Sequence, residues 1–251
     1  MKVFLTLLDR EVKSFFYTPI AYVVLFFFLV ITGFNFSTQV HSLNHLPTEF
    51  TVVEAFFIPP IFWFPFILSF PLITMRVYSE EFRMGTFETL TTAPVSDVQV
   101  VLSKFFGVFA FYLILWAPTL CSFAAFQYIT GSTAANATGA FVGAYLLLLL
   151  VGGFYISIGC LASALVKDQV NAAAISFTVI TLFLFVGFVP DIRNLTDPGI
   201  KSIFHYVSTI QHMQDFAKGL IDSRPLVWYP SMTILVLYLT LQVFQYRKWK
   251  A

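Results

Sequence analysis

Arg76 to Lys104 reads R-V-Y-S-E-E-F-R-M-G-T-F-E-T-L-T-T-A-P-V-S-D-V-Q-V-V-L-S-K, a polar, helix-forming insert between two long apolar runs, Ala55 to Met75 and Phe105 to Ile129. Charge is concentrated here rather than inside the apolar runs. Two readings follow: a surface segment that a soluble partner grips by charge complementarity and one apolar anchor, or a solvated loop. Glu80, Glu81 and Arg83 precede Gly85-Thr86, and Phe87 to Thr92 has room for about two helical turns before Ala93-Pro94 stops them.

Composition sets the class. The 251 residues are 58% hydrophobic, 19% aromatic and 11% charged, with a mean hydropathy of +0.82. That describes an all-α polytopic membrane protein rather than a soluble domain. A net charge of +1 leaves no basic surplus for a nucleic-acid partner. Cys121 and Cys160 lie in apolar stretches and read as buried hydrophobes, not as a disulfide or metal pair.

Six stretches are long and apolar enough to cross a bilayer: residues 20–36, 55–75, 105–129, 140–166, 170–189 and 227–246. An even number of spans puts both termini on one side. Three Lys or Arg precede the first span, three lie between the second and third, one between the fourth and fifth, and three follow the last. Ten of the fourteen thus share a face, which the positive-inside bias assigns to the cytoplasm. The segment 191–226 carries Arg193, Lys201, Lys218 and Arg224 balanced by four Asp, and is assigned to the outside.

Residues 1–18 place Val3, Phe4, Leu7, Leu8, Val12, Phe15 and Phe16 at helical spacing, an interfacial amphipathic helix ended by Pro19. Asp9 and Glu11 argue against a cleaved signal peptide. In the outer segment, Asp197-Pro198 resembles a helix start, and Ile203 to Ile221 follow helical spacing. This second amphipathic element is either a helix at the outer surface or a lid over an exit path. His205 and His212 there read as solvated surface histidines, because a metal site needs more ligands.

Within these boundaries no span contains Asp, Glu, Lys, Arg or His, which counts against a proton-driven carrier. No Ser–His, paired-Asp or H-E-x-x-H set supports an intramembrane hydrolase, and no polar face supports a gated channel. Prolines 59, 60, 65, 71 and 118 and the glycines of the fourth span permit kinks and close packing. Gly139-x-x-x-Gly143 reads as intrachain packing, Asn171 as interhelical glue, and the 32 phenylalanines as lipid-facing and core residues.

Residues 71–105, P-L-I-T-M-R-V-Y-S-E-E-F-R-M-G-T-F-E-T-L-T-T-A-P-V-S-D-V-Q-V-V-L-S-K-F, resemble the central signature of ABC-2 type permeases. Within them the chain looks most like the gliding-motility-associated group, echoed also by E-V-K-S-F-F-Y-T-P-I-A-Y-V-V-L at 11–25. The resemblance implies a single permease domain over 1–251: six spans, an N-terminal interfacial helix, a cytoplasmic coupling helix within 76–104 and short extracellular helices before the last span. It also implies an exporter of the bacterial inner membrane, dimeric with an identical or related permease, with ATP and Mg2+ bound by separate cytoplasmic ATPases. No G-x-x-x-x-G-K-[ST] occurs in this chain, which is expected to be neither an enzyme nor a binder of a cofactor or metal. The docking residues implied are Arg76, Glu80, Glu81, Arg83, Gly85, Thr86, Phe87, Glu88, Leu90 and Pro94. Of these the acidic residues and Arg83 orient the contact, Gly85 and Pro94 bound the helix, and Phe87 or Leu90 anchors it. Lys167 and Asp168 form a possible second contact. The rival reading is a membrane scaffold that recruits an ATPase and passes no cargo.

Overall fold

The computed structural model describes residues 2–45, 51–87, 95–131, 138–187, 189, 204 and 206–250. Ten helices are described here: α1 Lys2–Phe16, α2 Pro19–His45, α3 Val52–Phe57, α4 Pro60–Thr74, α5 Ser79–Met84, α6 Asp97–Thr130, α7 Thr138–Leu165, α8 Gln169–Val186, α9 Thr209–Ala217 and α10 Ser223–Lys250. Six helical stretches are long and apolar enough to cross a membrane, and no strand occurs among the described residues. The protein is an all-α, multi-pass membrane protein.

α7 is the hub, packed against α10, α8, α9, α4, α6 and α3. Two-thirds of its span (67%) is buried, against 28%, 22% and 17% for α2, α8 and α10, which form the periphery. Its glycines set the close approaches. A Cβ on Gly152 would collide with the Tyr112 ring, whose hydroxyl donates to the Leu148 carbonyl at 2.9 Å. A Cβ on Gly159 would collide with Thr74 of α4. Gly143 seats the backbone of Phe216, so the Gly139-x-x-x-Gly143 pair serves intrachain packing with α9 on at least one side.

The second apolar run is two helices, not one. Pro60 disfavours helical backbone at Pro59, which is extended (φ −59°, ψ 146°), and the chain breaks between α3 and α4. Asn35 of α2 donates to the Phe56 carbonyl there at 3.0 Å, satisfying a group that lipid cannot. α4 tolerates Pro65 and Pro71 and then bends at 75–78. There Ser163 of α7 accepts from the Tyr78 and Ser79 amides (3.0 and 3.1 Å) and donates to the Met75 carbonyl (3.0 Å). One hydroxyl uses its donor and both acceptor sites on the bend.

The third span begins eight residues before the expected Phe105, at Asp97. Ser96 and Gln99 form a reciprocal capping box, each side chain accepting from the other's amide at 3.3 Å. Lys104 is thereby carried inside a helix. Phenylalanines from α3, α4 and α6 interlock at the opposite end, Phe57 with Phe62 at 5.0 Å and Phe56 with Phe123 at 5.3 Å.

Three expectations are corrected. His212 is buried and lies 3.1 Å from the Tyr229 hydroxyl, because α9 sinks Met213, Phe216 and Ala217 into the bundle instead of lying on its surface. Cys121 is exposed on α6 while Cys160 is buried. Asn171 is exposed, and its backbone N–H donates to the carboxylate of Asp168, the N-cap of α8. His205 and the Asp197-Pro198 start lie outside the described residues.

Gly159→Val should overpack the α4–α7 contact and lower stability by about 1–3 kcal/mol, whereas Gly139→Val, in open space, should not. Thermal unfolding of the detergent-solubilised protein distinguishes the two.

Candidate functional site

Arg10, Arg76, Lys104, Arg247 and Lys248 gather at one end of the bundle, around the bend after α4 and the helix that follows it. The bend is not a free surface: Arg76 is 9% exposed, and Tyr78 and Ser79 are fully buried. α5 ends at Gly85, whose φ of 71° is the left-handed cap that glycine adopts without strain. Phe82 and Phe87 turn inward, their rings 4.9 Å apart, and Phe87 meets Phe244 of α10 at 5.2 Å. Arg247 of α10 stacks over Phe82 at 4.3 Å and donates to the Leu165 carbonyl of α7 at 2.6 Å. Lys248 closes α10 on the start of α6 through Asp97 at 2.8 Å.

At the centre lies Lys104, 3% exposed. Its ammonium donates to Glu81 Oε1 (2.8 Å), to the Val77 carbonyl (2.8 Å) and to Glu11 Oε1 (3.5 Å), using all three N–H groups. Arg10 flanks the same carboxylates, 2.9 Å from Glu11 and 3.7 Å from Glu81. Burial alone would raise the pKa of Glu11, but Lys104 and Arg10 outweigh it and hold the carboxyl below its ordinary 4.5. The network ties α1, α5 and α6 together.

The residues expected at a docking surface divide by burial. Arg83, Gly85 and Thr86 are exposed, together with Met84, and Glu80 is half-buried. Arg76, Glu81 and Phe87 face inward: Arg76 donates to the Ser14 carbonyl (3.1 Å) and lies over Phe15, Glu81 pairs with Lys104, and Phe87 is 5% exposed. Of the expected helix from Phe87 to Thr92, Phe87 is helical and the remainder, with Glu88, Leu90 and Pro94, lies outside the described residues. Lys167 is exposed, and Asp168 caps α8, against which α5 packs.

Lys104, Glu11, Arg10, Ser163 and Arg247 were not among the expected site residues. Lys104 did carry a signal. It shares a helical face with Val100, Val101, Val108 and Phe111, all buried, so a lone cation interrupts an apolar stripe and needs an internal partner.

The chain matches the ABC-2 family transporter proteins over residues 30–241. No curated protein matches it.

Lys104→Met leaves Glu11 and Glu81 with only the solvent-exposed Arg10 to offset them and should cost about 3–5 kcal/mol. The triple variant with Glu11→Gln and Glu81→Gln should recover most of that loss in thermal unfolding. Because the Glu11 pKa is depressed, its contribution is complete above pH 4.5 and disappears as pH falls through the lower folded value. Melting temperature should therefore fall more steeply below pH 4.5 in the wild type than in Glu11→Gln.

Proposed function

This chain belongs to the ABC-2 transporter family, and on that premise we propose that it is the permease subunit of an ATP-driven exporter. It forms the pathway as a dimer, with an identical or related subunit, and is driven by separate cytoplasmic ATPases that carry ATP and Mg2+. The basic end is then the cytoplasmic face of a bacterial inner membrane, in keeping with the distribution of Lys and Arg. The pattern at 11–25 supports kinship with the gliding-type permeases; it precedes the residues matched to the broad family.

The observation that carries this reading is the double character of α5. Its outer side presents Arg83 and Met84, with Thr86 just beyond, a charge beside an apolar anchor. Its inner side is fastened to α6 by Glu81–Lys104, to α10 by Phe82 and Arg247, and its first turn to α7 by Ser163. A push on the outer side is passed to three membrane helices together, since packed elements move as units rather than deform. Glu80 and Arg83 orient the contact in this scheme, while Glu81 and Phe87 transmit it from within. Lys167 and Asp168, at the start of α8, form the second contact.

The test is copurification of the tagged chain from native membranes with vanadate-sensitive ATP hydrolysis as readout. Arg83→Glu with Met84→Ala should lower the recovered ATPase about tenfold, a loss of roughly 1.4 kcal/mol, with melting temperature unchanged because both side chains are exposed. Retained ATPase association and transport would overturn the docking surface. An ATPase that stays bound while no cargo moves in the wild type would favour a scaffold.

A further inference from the structure

A cleft of about 340 Å³ opens between α1 and α5. Tyr17 and Thr18, just before α2, line it, as do Arg76 and Val77, just after α4. It therefore sits where two spans leave the hydrocarbon, at the depth of lipid headgroups. Phe15, Val77 and Met84 give it apolar walls.

Three cations and three carboxylates also line it, and pairing among them is incomplete. Lys104 and Arg10 engage Glu11 and one oxygen of Glu81. Arg76 and Glu80, one helical turn apart, feel each other's charge but do not close to an ion pair among the described residues. The Arg76 guanidinium, nine-tenths buried, donates one hydrogen bond, to the Ser14 carbonyl, and among the described residues has no carboxylate within 4 Å. Among the described residues its other four N–H groups have no hydrogen-bond partner. Glu80, one turn along, makes no ion pair among the described residues, and the second oxygen of Glu81, Oε2, is buried without a hydrogen-bond partner.

An anion alone would satisfy Arg76 but crowd the carboxylates, and a cation alone would do the reverse. We propose that the cleft holds the headgroup of an amine-bearing zwitterionic phospholipid, its phosphate on Arg76 and its ammonium on Glu80 and the free oxygen of Glu81. A guanidinium fork suits phosphate, and a primary ammonium offers three donors where a quaternary amine offers none. The acyl chains enter the bilayer beside the start of α2, where Ile20 and Val23 are exposed. The cleft borders the proposed docking face and shares Glu80 and Met84 with it, but lipid retention is read on this chain alone and so does not depend on the ATPase reading.

Native mass spectrometry of the delipidated full-length protein tests this, with phosphatidylethanolamine, phosphatidylcholine and phosphatidylglycerol offered in equal amounts. Phosphatidylethanolamine should be retained about tenfold over the other two, the size of one lost charge-assisted contact. Arg76→Gln should lower its retention by a similar factor. Glu80→Gln, at a half-buried position and so little dependent on folding, should shift preference toward phosphatidylglycerol, a change of selectivity that general destabilisation does not produce. Lys13→Gln, outside the cleft, should leave the order unchanged. Equal retention of the three lipids by the wild type, or unaltered selectivity in Glu80→Gln, would overturn the proposal. Displacement of the lipid by equimolar O-phosphoethanolamine would assign the site to a soluble metabolite and overturn the lipid source.

Discussion

A buried ammonium fixes the architecture at the basic end. Lys104 sits where desolvation is costly, and it is tolerated because three acceptors from three other segments converge on it: Glu11 of α1, Glu81 of α5 and the Val77 carbonyl of the bend. Arg10 also reaches both carboxylates, but it is more than half exposed, and Lys104 is the one buried cation of the network. Moving α1 or α5 away would strand a charge, so the N-terminal helix, the bend and the third span keep one arrangement. Gly107 adds a steric reason, since it lets α6 approach α1 at Glu11 more closely than any side chain would allow.

The two breaks in the α3–α4–α5 stretch show how the chain meets a second constraint, that the membrane interior offers no water to an open backbone. Each break is met by one polar side chain from a different helix. Asn35 reaches the carbonyl exposed before Pro59, and Ser163 caps the bend after Thr74. The prolines supply the kinks, but it is the distant side chains that make them affordable. The bend in turn aims α5 across the end of the bundle, where one side meets α10 and the other is open.

Span number and type were legible because apolar length is a strong and local signal: every expected span overlaps an observed one. Boundaries were less so. Ser96 and Gln99 form a capping box that a reading by hydropathy passes over, and taking Phe105 as the start left Lys104 outside the membrane region on paper. Pro59-Pro60 was noted, yet its break was not placed, since proline is compatible with both kinks and helix starts. Phe87 looked like an anchor because aromatic residues beside charges suit docking equally well as packing; only the position of Phe244, far along the chain, decides between them. His212 was misjudged for the same reason, its partner Tyr229 belonging to the following helix. Long-range pairing, rather than local propensity, is what the sequence conceals.

The placement of α7 also bears on how the protein is made. Its largest interface is with α10, the last of the described helices to be synthesised. α7 is apolar enough to enter the bilayer by itself, and its glycine notches meet α4, α6 and α9, but the face on which Phe154 packs against Trp228 and Tyr229 is not covered by them until α10 arrives. Insertion and packing are thus separated in time, and the nascent chain carries an open seam along α7 that closes only when α10 packs against it.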